Sequence, residues 1–199
     1  CYSGYTEYYP EMNGESRHFP PSLMNKPHFE SLLKSIPICA PTICFRKEIV
    51  ERTGFNHLIR EGFWCEDYPL FLALSLQGDF GVIDEDLVTY TVHGGSLDHY
   101  HSFEKKMQRI ENDDKIRHFF IQHTEKLEYY QDICNDTYYR SKASAGVAYE
   151  KRKIAFENLK KIKSKSSKDI LKLFICSIPA FFNAYTRRLR EKSKIAIMS

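Results

Sequence analysis

The chain has 199 residues, of which 42% are hydrophobic, 28% are charged and 14% are aromatic. This composition is typical of a soluble globular protein that can form a substantial core. The sequence contains neither GxxxxGK[ST] nor GxGxxG, so it indicates neither a P-loop nor a Rossmann dinucleotide-binding protein.

Charge is divided unevenly along the chain. Residues 1–137 contain 13 Lys/Arg and 22 Asp/Glu, a net charge of −9, whereas residues 138–199 contain 16 and 4, a net charge of +12. A basic tail on an acidic body predicts that the tail meets an anionic surface, and membrane lipid and nucleic acid are both candidates.

The cysteines indicate a reducing environment. The six cysteines show no CxxC spacing and lie mostly within apolar runs. We therefore predict reduced, buried thiols in a cytosolic protein, and neither a disulfide framework nor a zinc site. They are Cys1, Cys39, Cys44, Cys65, Cys134 and Cys176.

The first part of the chain combines extended and helical patterns. Residues 1–22 begin with a short strand-like piece and continue as an extended, loop-like segment. Apolar spacing predicts a helix over Asn25–Ser35. Ile38–Phe45 is rich in β-formers but contains a proline, which favours a bent strand or a sheet edge. Lys47–Arg52 is predicted to be a short helix stopped by Gly54.

The next segment is predicted to be a buried helix followed by a hairpin. Pro69–Leu76 is apolar on nearly every side, as in a helix that is buried all round. Phe80–Ile83 and Leu87–Val92 have the pattern of strands. The acidic residues between them, Asp84–Asp86, are predicted to form a solvated turn, although they formally match a metal-binding Asp-x-Asp.

Residues 102–163 are strongly charged and almost free of Pro and Gly. They predict two long helices that break near Asn135-Asp136 or near Ala143–Gly146. A polar linker is predicted at Lys163–Lys168.

The last segment, residues 166–199, is predicted to be an amphipathic helix that Pro179 kinks, with a basic run after it. Its apolar stretch is shorter than the roughly 20 apolar residues that cross a bilayer. Two interpretations stay open, a helix that lies in a membrane interface and a helix that closes a core. The aromatic residues follow the apolar face and are not interleaved with arginine, which argues against nucleic acid.

The acidic pair Glu66-Asp67 falls where a loop is predicted to become a helix. The helix dipole favours negative charge at that position. A carboxylate held there beside a bound hydroxyl can act as a general base. The alternative is that Asp67 only caps the helix.

Three histidines and an aspartate cluster within nine residues, at His93, Asp98, His99 and His101. These residue types suit zinc or manganese, but the segment offers no helical HExxH frame. A single metal ligand, His93, at a strand end beside two glycines, is the more plausible assignment.

The order of these motifs, from about Ile38 to Ser96, resembles the C-terminal half of the catalytic domain of family 2 glycosyltransferases, which have the GT-A fold. The family has an acidic "ED" motif at the start of a helix, then a hairpin and a "Y-x-x-H-x-x-S" ending. In this sequence the motifs fall on Glu66-Asp67 and on Tyr90, His93 and Ser96. The fold class implied is α/β, a partial GT-A fold with a small mixed sheet and flanking helices, followed by long C-terminal helices.

The resemblance implies transfer of a sugar, with inversion, from a nucleotide-sugar donor to a saccharide or lipid-linked acceptor. Asp67 would be the general base, with Glu66 beside it, and His93 would lie near the donor diphosphate as a possible metal ligand. The acceptor side would be shaped by Gly62, Phe63 and Trp64, since an indole can stack on a sugar. A divalent metal, Mn or Mg, is expected in the full-length enzyme, and none is expected to be bound by this chain alone.

Residues 1–66 contain no Asp-x-Asp, and the chain begins at Cys1 without a methionine. We expect that this is an excised piece without the donor-binding half, and that it is inactive in isolation. The predicted domains are residues 1–101, the acceptor-side part, and residues 102–199, a helical basic extension.

The resemblance further implies cell-surface polysaccharide biosynthesis, in the cytoplasm or at the inner face of the membrane. Residues 166–199 would make the peripheral membrane contact. Whether the chain forms a homo-oligomer stays open, and nucleic acid is not expected as a partner. Two alternatives remain: a non-catalytic helical module that binds a partner or a membrane, and a histidine-based metallohydrolase.

Overall fold

The computed structural model describes residues 1–11, 13–21, 26–54, 62–92, 102–122 and 124–198, with side chains to residue 191. The protein is mixed α/β, with a small three-stranded sheet and flanking helices. It divides into two compact units. The first comprises Cys1–His99 and Ile116–Glu125, and the second comprises Tyr100–Lys115 and Lys126–Ser199.

The sheet of the first unit has the strand order β2-β1-β3. Strand β1 is Tyr2–Tyr9 and strand β2 is Glu15–Phe19, and the two are antiparallel. Asn13 and Gly14 both have positive φ, which permits the tight turn between them. The expectation of a loop after the first strand is therefore wrong for Glu15–Phe19, whose Phe19 ring stacks on Tyr5 with centroids 4.9 Å apart.

Strand β3 is a continuous strand, Val82–Thr91, that runs parallel to β1. The predicted hairpin is therefore wrong, and the acidic residues at 84–86 lie within a strand. The register is irregular there, because Ser3 pairs with Ile83 while Gly4 pairs with Asp86. A Cβ on Gly4 would overlap the Asp86 carboxylate and lie 2.8 Å from Pro21 Cδ, so a side chain at this bulged position would require its neighbours to shift.

Short helices follow strand β2 along the chain. Helix α1 is Phe29–Lys34, within the predicted range, of which Asn25 lies outside the described residues. A 3₁₀ helix, Ala40–Thr42, replaces the predicted bent strand. Extended backbone remains on both sides of the 3₁₀ helix, at Cys39 and Ile43, and Cys44 exchanges backbone hydrogen bonds with Cys1. Helix α2 is Lys47–Arg52, as predicted, and Gly54 follows it with a φ of +65°.

The second unit is helical. Helix α3, Asp67–Ser75, belongs to the first unit, and helix α4, Phe103–Ile121, contributes residues to both units. The helices that follow are α5, Leu127–Ala148, α6, Arg152–Lys161, α7, Ser167–Ser177, and α8, Pro179–Met198. The prediction of two helices over residues 102–163 is wrong, because three helices occupy that range. The described part of the chain has no helix that is long and apolar enough to cross a membrane.

Both predicted break points, Asn135-Asp136 and Ala143–Gly146, lie inside α5. Gly146 has a packing role, because a Cβ there would lie 2.6 Å from the backbone nitrogen of Ala155 on α6. The two helices therefore cross at a distance that only glycine allows. The core around this crossing consists of Ala143, Val147, Ala155, Leu159, Ile162, Cys176 and Phe182.

Cysteine burial differs from the prediction. None of the six cysteines forms a disulfide, but only Cys134 and Cys176 are buried, while Cys1 and Cys44 are exposed. Burial raises the pKa of the Cys176 thiol, although Arg152 and Lys172 act in the opposite direction. The expectation of buried thiols is wrong for the two exposed residues, which lie near the start of β1 and before α2.

Candidate functional site

Helix α3, Asp67–Ser75, carries the acidic pair and lies in the core of the first unit. It begins two residues before the predicted start at Pro69. Its apolar residues are buried on several sides, which agrees with the predicted all-round burial. The fully buried Tyr68 hydroxyl donates a hydrogen bond to the Leu32 carbonyl at 2.9 Å, which ties α3 to α1. The backbone that carries Asp67 is therefore held in place by packing.

The first turn of α3 is capped in an unusual way. Glu66 occupies the N-cap position with α-helical backbone angles, and its side chain makes no capping hydrogen bond. Pro69 is the third helical residue and has no N–H to offer a cap. The Tyr68 N–H donates to Asp67 Oδ1 at 2.8 Å. Asp67 therefore satisfies one free amide from inside the helix, and it is not the N-cap residue itself.

Asp67 is half-buried and Glu66 is exposed. In the described part of the chain, Asp67 Oδ2 takes part in no hydrogen bond, so this oxygen retains its capacity to accept a proton or a hydrogen bond. The positive end of the helix dipole favours a negative charge here. The arrangement can hold a carboxylate rigidly at a surface, with one oxygen that makes no hydrogen bond to the described part of the protein.

The predicted acceptor residues precede α3. Gly62 is exposed with a φ of +67°. Phe63 is half-buried, and its ring packs edge-on against Phe119 with centroids 5.6 Å apart. Trp64 is 50% exposed. Of the three, Trp64 presents the largest aromatic surface for stacking, while Phe63 is largely engaged in the unit's own packing.

Of the remaining predicted site residues, only Tyr90 lies within the described part of the chain. His93, the predicted metal ligand, and Ser96 lie outside the described residues, whereas Tyr90 is in β3. Among the residues that the structure describes, no group of three His, Cys, Asp or Glu side chains could hold a metal ion.

The acidic residues of β3 have a structural partner. Asp86 Oδ2 lies 3.0 Å from His18 Nδ1 on β2, and Thr6 on β1 is within hydrogen-bond distance of both. Both Thr6 and Asp86 approach the same ring nitrogen, so the group has no nucleophile–base–acid relay. It connects all three strands across the bulge.

Comparisons with protein-family models, curated proteins and solved structures gave no match.

Sequence reasoning missed one cavity in the first unit. It has a volume of about 390 Å³ and lies at the C-terminal end of α3, beside Gln77 and Gly78. Cys1, Phe45 and Phe80 also line it. Since α3 has nine residues and is about 13 Å long, this cavity is separate from the Asp67 end. Its walls come from three chain segments that are distant in sequence, so no local pattern indicates it.

Proposed function

We propose that this chain carries the acceptor side and the catalytic base of an inverting glycosyltransferase of family 2, with a partial GT-A fold. The observation that supports it most directly is the half-buried Asp67 carboxylate at the start of a buried helix, with one oxygen bound to the helix and the other uncommitted among the described residues. The order of the motifs around it is the second support. A buried frame with an available carboxylate is what a general base requires.

In the proposed reaction, Asp67 takes the proton of an acceptor hydroxyl. The hydroxyl oxygen forms a bond to the anomeric carbon of the donor sugar while the bond from that carbon to the nucleotide diphosphate breaks. The diphosphate leaves with the electron pair, and the anomeric configuration inverts because attack and departure occur on opposite sides. The donor is a nucleotide sugar, and the acceptor is a saccharide or a lipid-linked saccharide.

Trp64 is proposed to stack on the acceptor sugar, with Gly62 and Phe63 shaping the adjacent surface. Glu66 adds negative charge beside the base. The proposed setting is cell-surface polysaccharide biosynthesis at the cytoplasmic side of the membrane. A divalent metal at the donor diphosphate, with His93 as one ligand, belongs to the complete enzyme in this proposal.

The substitution Asp67→Asn tests the assignment of the base. Asparagine keeps the shape and can still accept the Tyr68 N–H, but it cannot take a proton. Turnover should fall by about 10²–10⁴-fold while donor affinity stays near the wild-type value. The measurement is sugar transfer from a panel of UDP- and GDP-sugars by the complete enzyme, with its donor-binding portion present.

Asp79→Asn is the matched control. It is the same chemical change at an exposed carboxylate beyond the other end of α3, and turnover should stay within about twofold of wild type. If Asp67 serves the helix only, Asn replaces it without loss, because both residues are good at helix starts. Asp67→Asn turnover equal to that of Asp79→Asn would therefore remove Asp67 from the mechanism.

A further inference from the structure

Helices α7 and α8 present a set of large apolar side chains on the surface. On α7, Ile170, Leu171 and Phe174 are between 57% and 59% exposed. On α8, Phe181 is 49% exposed. Isolated exposed apolar residues are ordinary, but a contiguous group marks an interaction surface.

These residues share one face of α7. Ile170, Leu171 and Phe174 are one and four positions apart, so they lie on one side of the helix. The buried residues of α7, Asp169 and Cys176, lie on the opposite side. The exposed face is therefore not the face with which α7 packs into its own unit.

The apolar face continues onto α8. The Phe174 and Phe181 rings are 5.9 Å apart across the joint between the two helices. The next residue, Phe182, is buried in the core of the second unit, so α8 is anchored on one side and contributes Phe181 on the other. We call Ile170, Leu171, Phe174 and Phe181 the apolar strip.

Positive charge flanks the apolar strip. Lys168 on α7 is three residues before Leu171, and Arg188 on α8 is seven residues after Phe181, so each lies near a strip residue on the same helical side. Over residues 167–191 there are five Lys/Arg and two Asp/Glu. One of the two acids, Asp169, is only 6% exposed and pairs with Arg140 at 3.0 Å. The charge available around the apolar strip is therefore predominantly positive.

We propose that the apolar strip docks the protein on an anionic lipid surface, with α7 lying in the plane of the interface. Exposed aliphatic and aromatic residues enter the boundary between headgroups and acyl chains, and the flanking cations contact anionic headgroups. Helix α7 has 11 residues and is about 16 Å long, so it lies on the bilayer and does not cross it. The inference does not depend on the glycosyl-transfer proposal.

Nucleic acid fits the surface less well. A single-stranded nucleic acid requires aromatic rings spaced along a basic groove. Here the aromatic rings are adjacent to each other and to Ile170 and Leu171, and the cations lie at the border. That arrangement is amphipathic, and it matches the layered polarity of a lipid surface.

The test is flotation of the full 199-residue chain with vesicles of phosphatidylcholine alone or with about one third phosphatidylglycerol. We expect binding to the anionic vesicles, weakened as salt rises from about 0.05 M to about 0.5 M. The double variant Ile170→Ser/Phe174→Ser should lower the partition coefficient by at least about tenfold, because two apolar side chains no longer enter the interface. Lys168→Gln and Arg188→Gln should each lower it by about fivefold at low salt.

The matched control is Leu127→Ser/Tyr129→Ser, two exposed apolar residues at the start of α5 in the same unit, 40% and 53% exposed. It should bind as wild type does. Equal binding to both vesicle types, or unchanged binding by Ile170→Ser/Phe174→Ser, would overturn the proposal. So would vesicle-free dimerisation that the same double variant abolishes, because a second copy of the chain would then cover the apolar strip. Circular dichroism of each variant confirms that its helices are retained.

Discussion

Asp169 and Asp67 each lie in the first turn of a helix, and their surroundings differ. Asp169, in the first turn of α7, is 6% exposed. Its Oδ2 accepts from the Ser166 N–H at 2.9 Å, from the Ser166 hydroxyl at 2.8 Å and from Arg140 Nε at 3.0 Å. Asp67, at the first position of α3, is half-buried and accepts the Tyr68 N–H. Helix position alone therefore does not define the role of an acidic residue.

Asp169 is one of several polar side chains that hold the connection between α6 and α7 in the second unit. The buried carboxylate of Asp136 accepts the N–H groups of Lys163 at 2.7 Å and Ser164 at 2.8 Å, in the connection between α6 and α7. Arg140 also donates to the Ser164 carbonyl. These two aspartates and one arginine satisfy backbone groups that the connection would otherwise leave unpaired. Asp169 therefore has a structural role, whereas the Asp67 carboxylate stays available for chemistry.

The largest expected stability effect is for Asp169→Asn. The change removes the charge from a buried group, weakens the reciprocal capping bonds with Ser166 and leaves Arg140 without its anion. The free energy of unfolding should fall by about 2–3 kcal/mol. Urea unfolding followed by far-ultraviolet circular dichroism measures it.

Glu157→Gln is the control for that measurement. Glu157 pairs with Lys160 on the surface of α6 at 3.8 Å, with both side chains about half exposed. Such pairs contribute little, so the loss should stay below about 0.5 kcal/mol. If Asp169→Asn costs no more than Glu157→Gln, the structural role of Asp169 is refuted.

Acid pH should reduce the difference in unfolding free energy between wild type and Asp169→Asn. Burial by itself raises the pKa of Asp169, but hydrogen bonds from Ser166 and the charge of Arg140 outweigh it, so the pKa lies below its usual value of 3.8. Because the pKa of Asp169 is lowered in the folded state, the contribution of its carboxylate to the free energy of unfolding is present above pH 3.8. That contribution is lost as pH falls through the folded-state pKa. The gap in unfolding free energy between wild type and Asp169→Asn should be complete at about pH 6 and clearly smaller at about pH 3. A gap that does not change between these pH values would contradict the assignment.

Local patterns predicted the elements whose causes are local. Helix α2 was predicted to the residue, because a helical stretch is followed at once by Gly54. The start of α7 also had a local signal, since Ser166 precedes Asp169 by the three residues of a capping box. That signal was read only as part of a polar linker. The acidic start of α3 was recognised, although the helix was placed two residues late.

The sheet and the helix crossing could not be predicted in this way. Strand β3 pairs with β1, about 80 residues earlier, and its acidic centre has the composition of a turn. Only the partner strand makes it extended. A glycine such as Gly146 is typical of a helix break, but here Ala155 on the next helix lies so close that there is no room for a side chain. In the candidate site, the Tyr68 bond to Leu32 that holds α3 depends on a residue 36 positions away.

A small effect on stability is expected at Asp67, and it separates chemistry from structure at that residue. Asp67→Asn keeps an oxygen that can accept the Tyr68 N–H, and Glu66 still places a negative charge at the start of the helix. The loss in unfolding free energy should therefore stay below about 1 kcal/mol, the size of a single exposed charge–dipole interaction. Trp64 is the single tryptophan of the chain and lies three residues before Asp67, so its fluorescence during urea unfolding reports on this region. A loss as large as that of Asp169→Asn would make Asp67 a structural carboxylate as well. A fall in turnover would then reflect a damaged helix start, whereas a fall without a loss of stability is the result expected of a base.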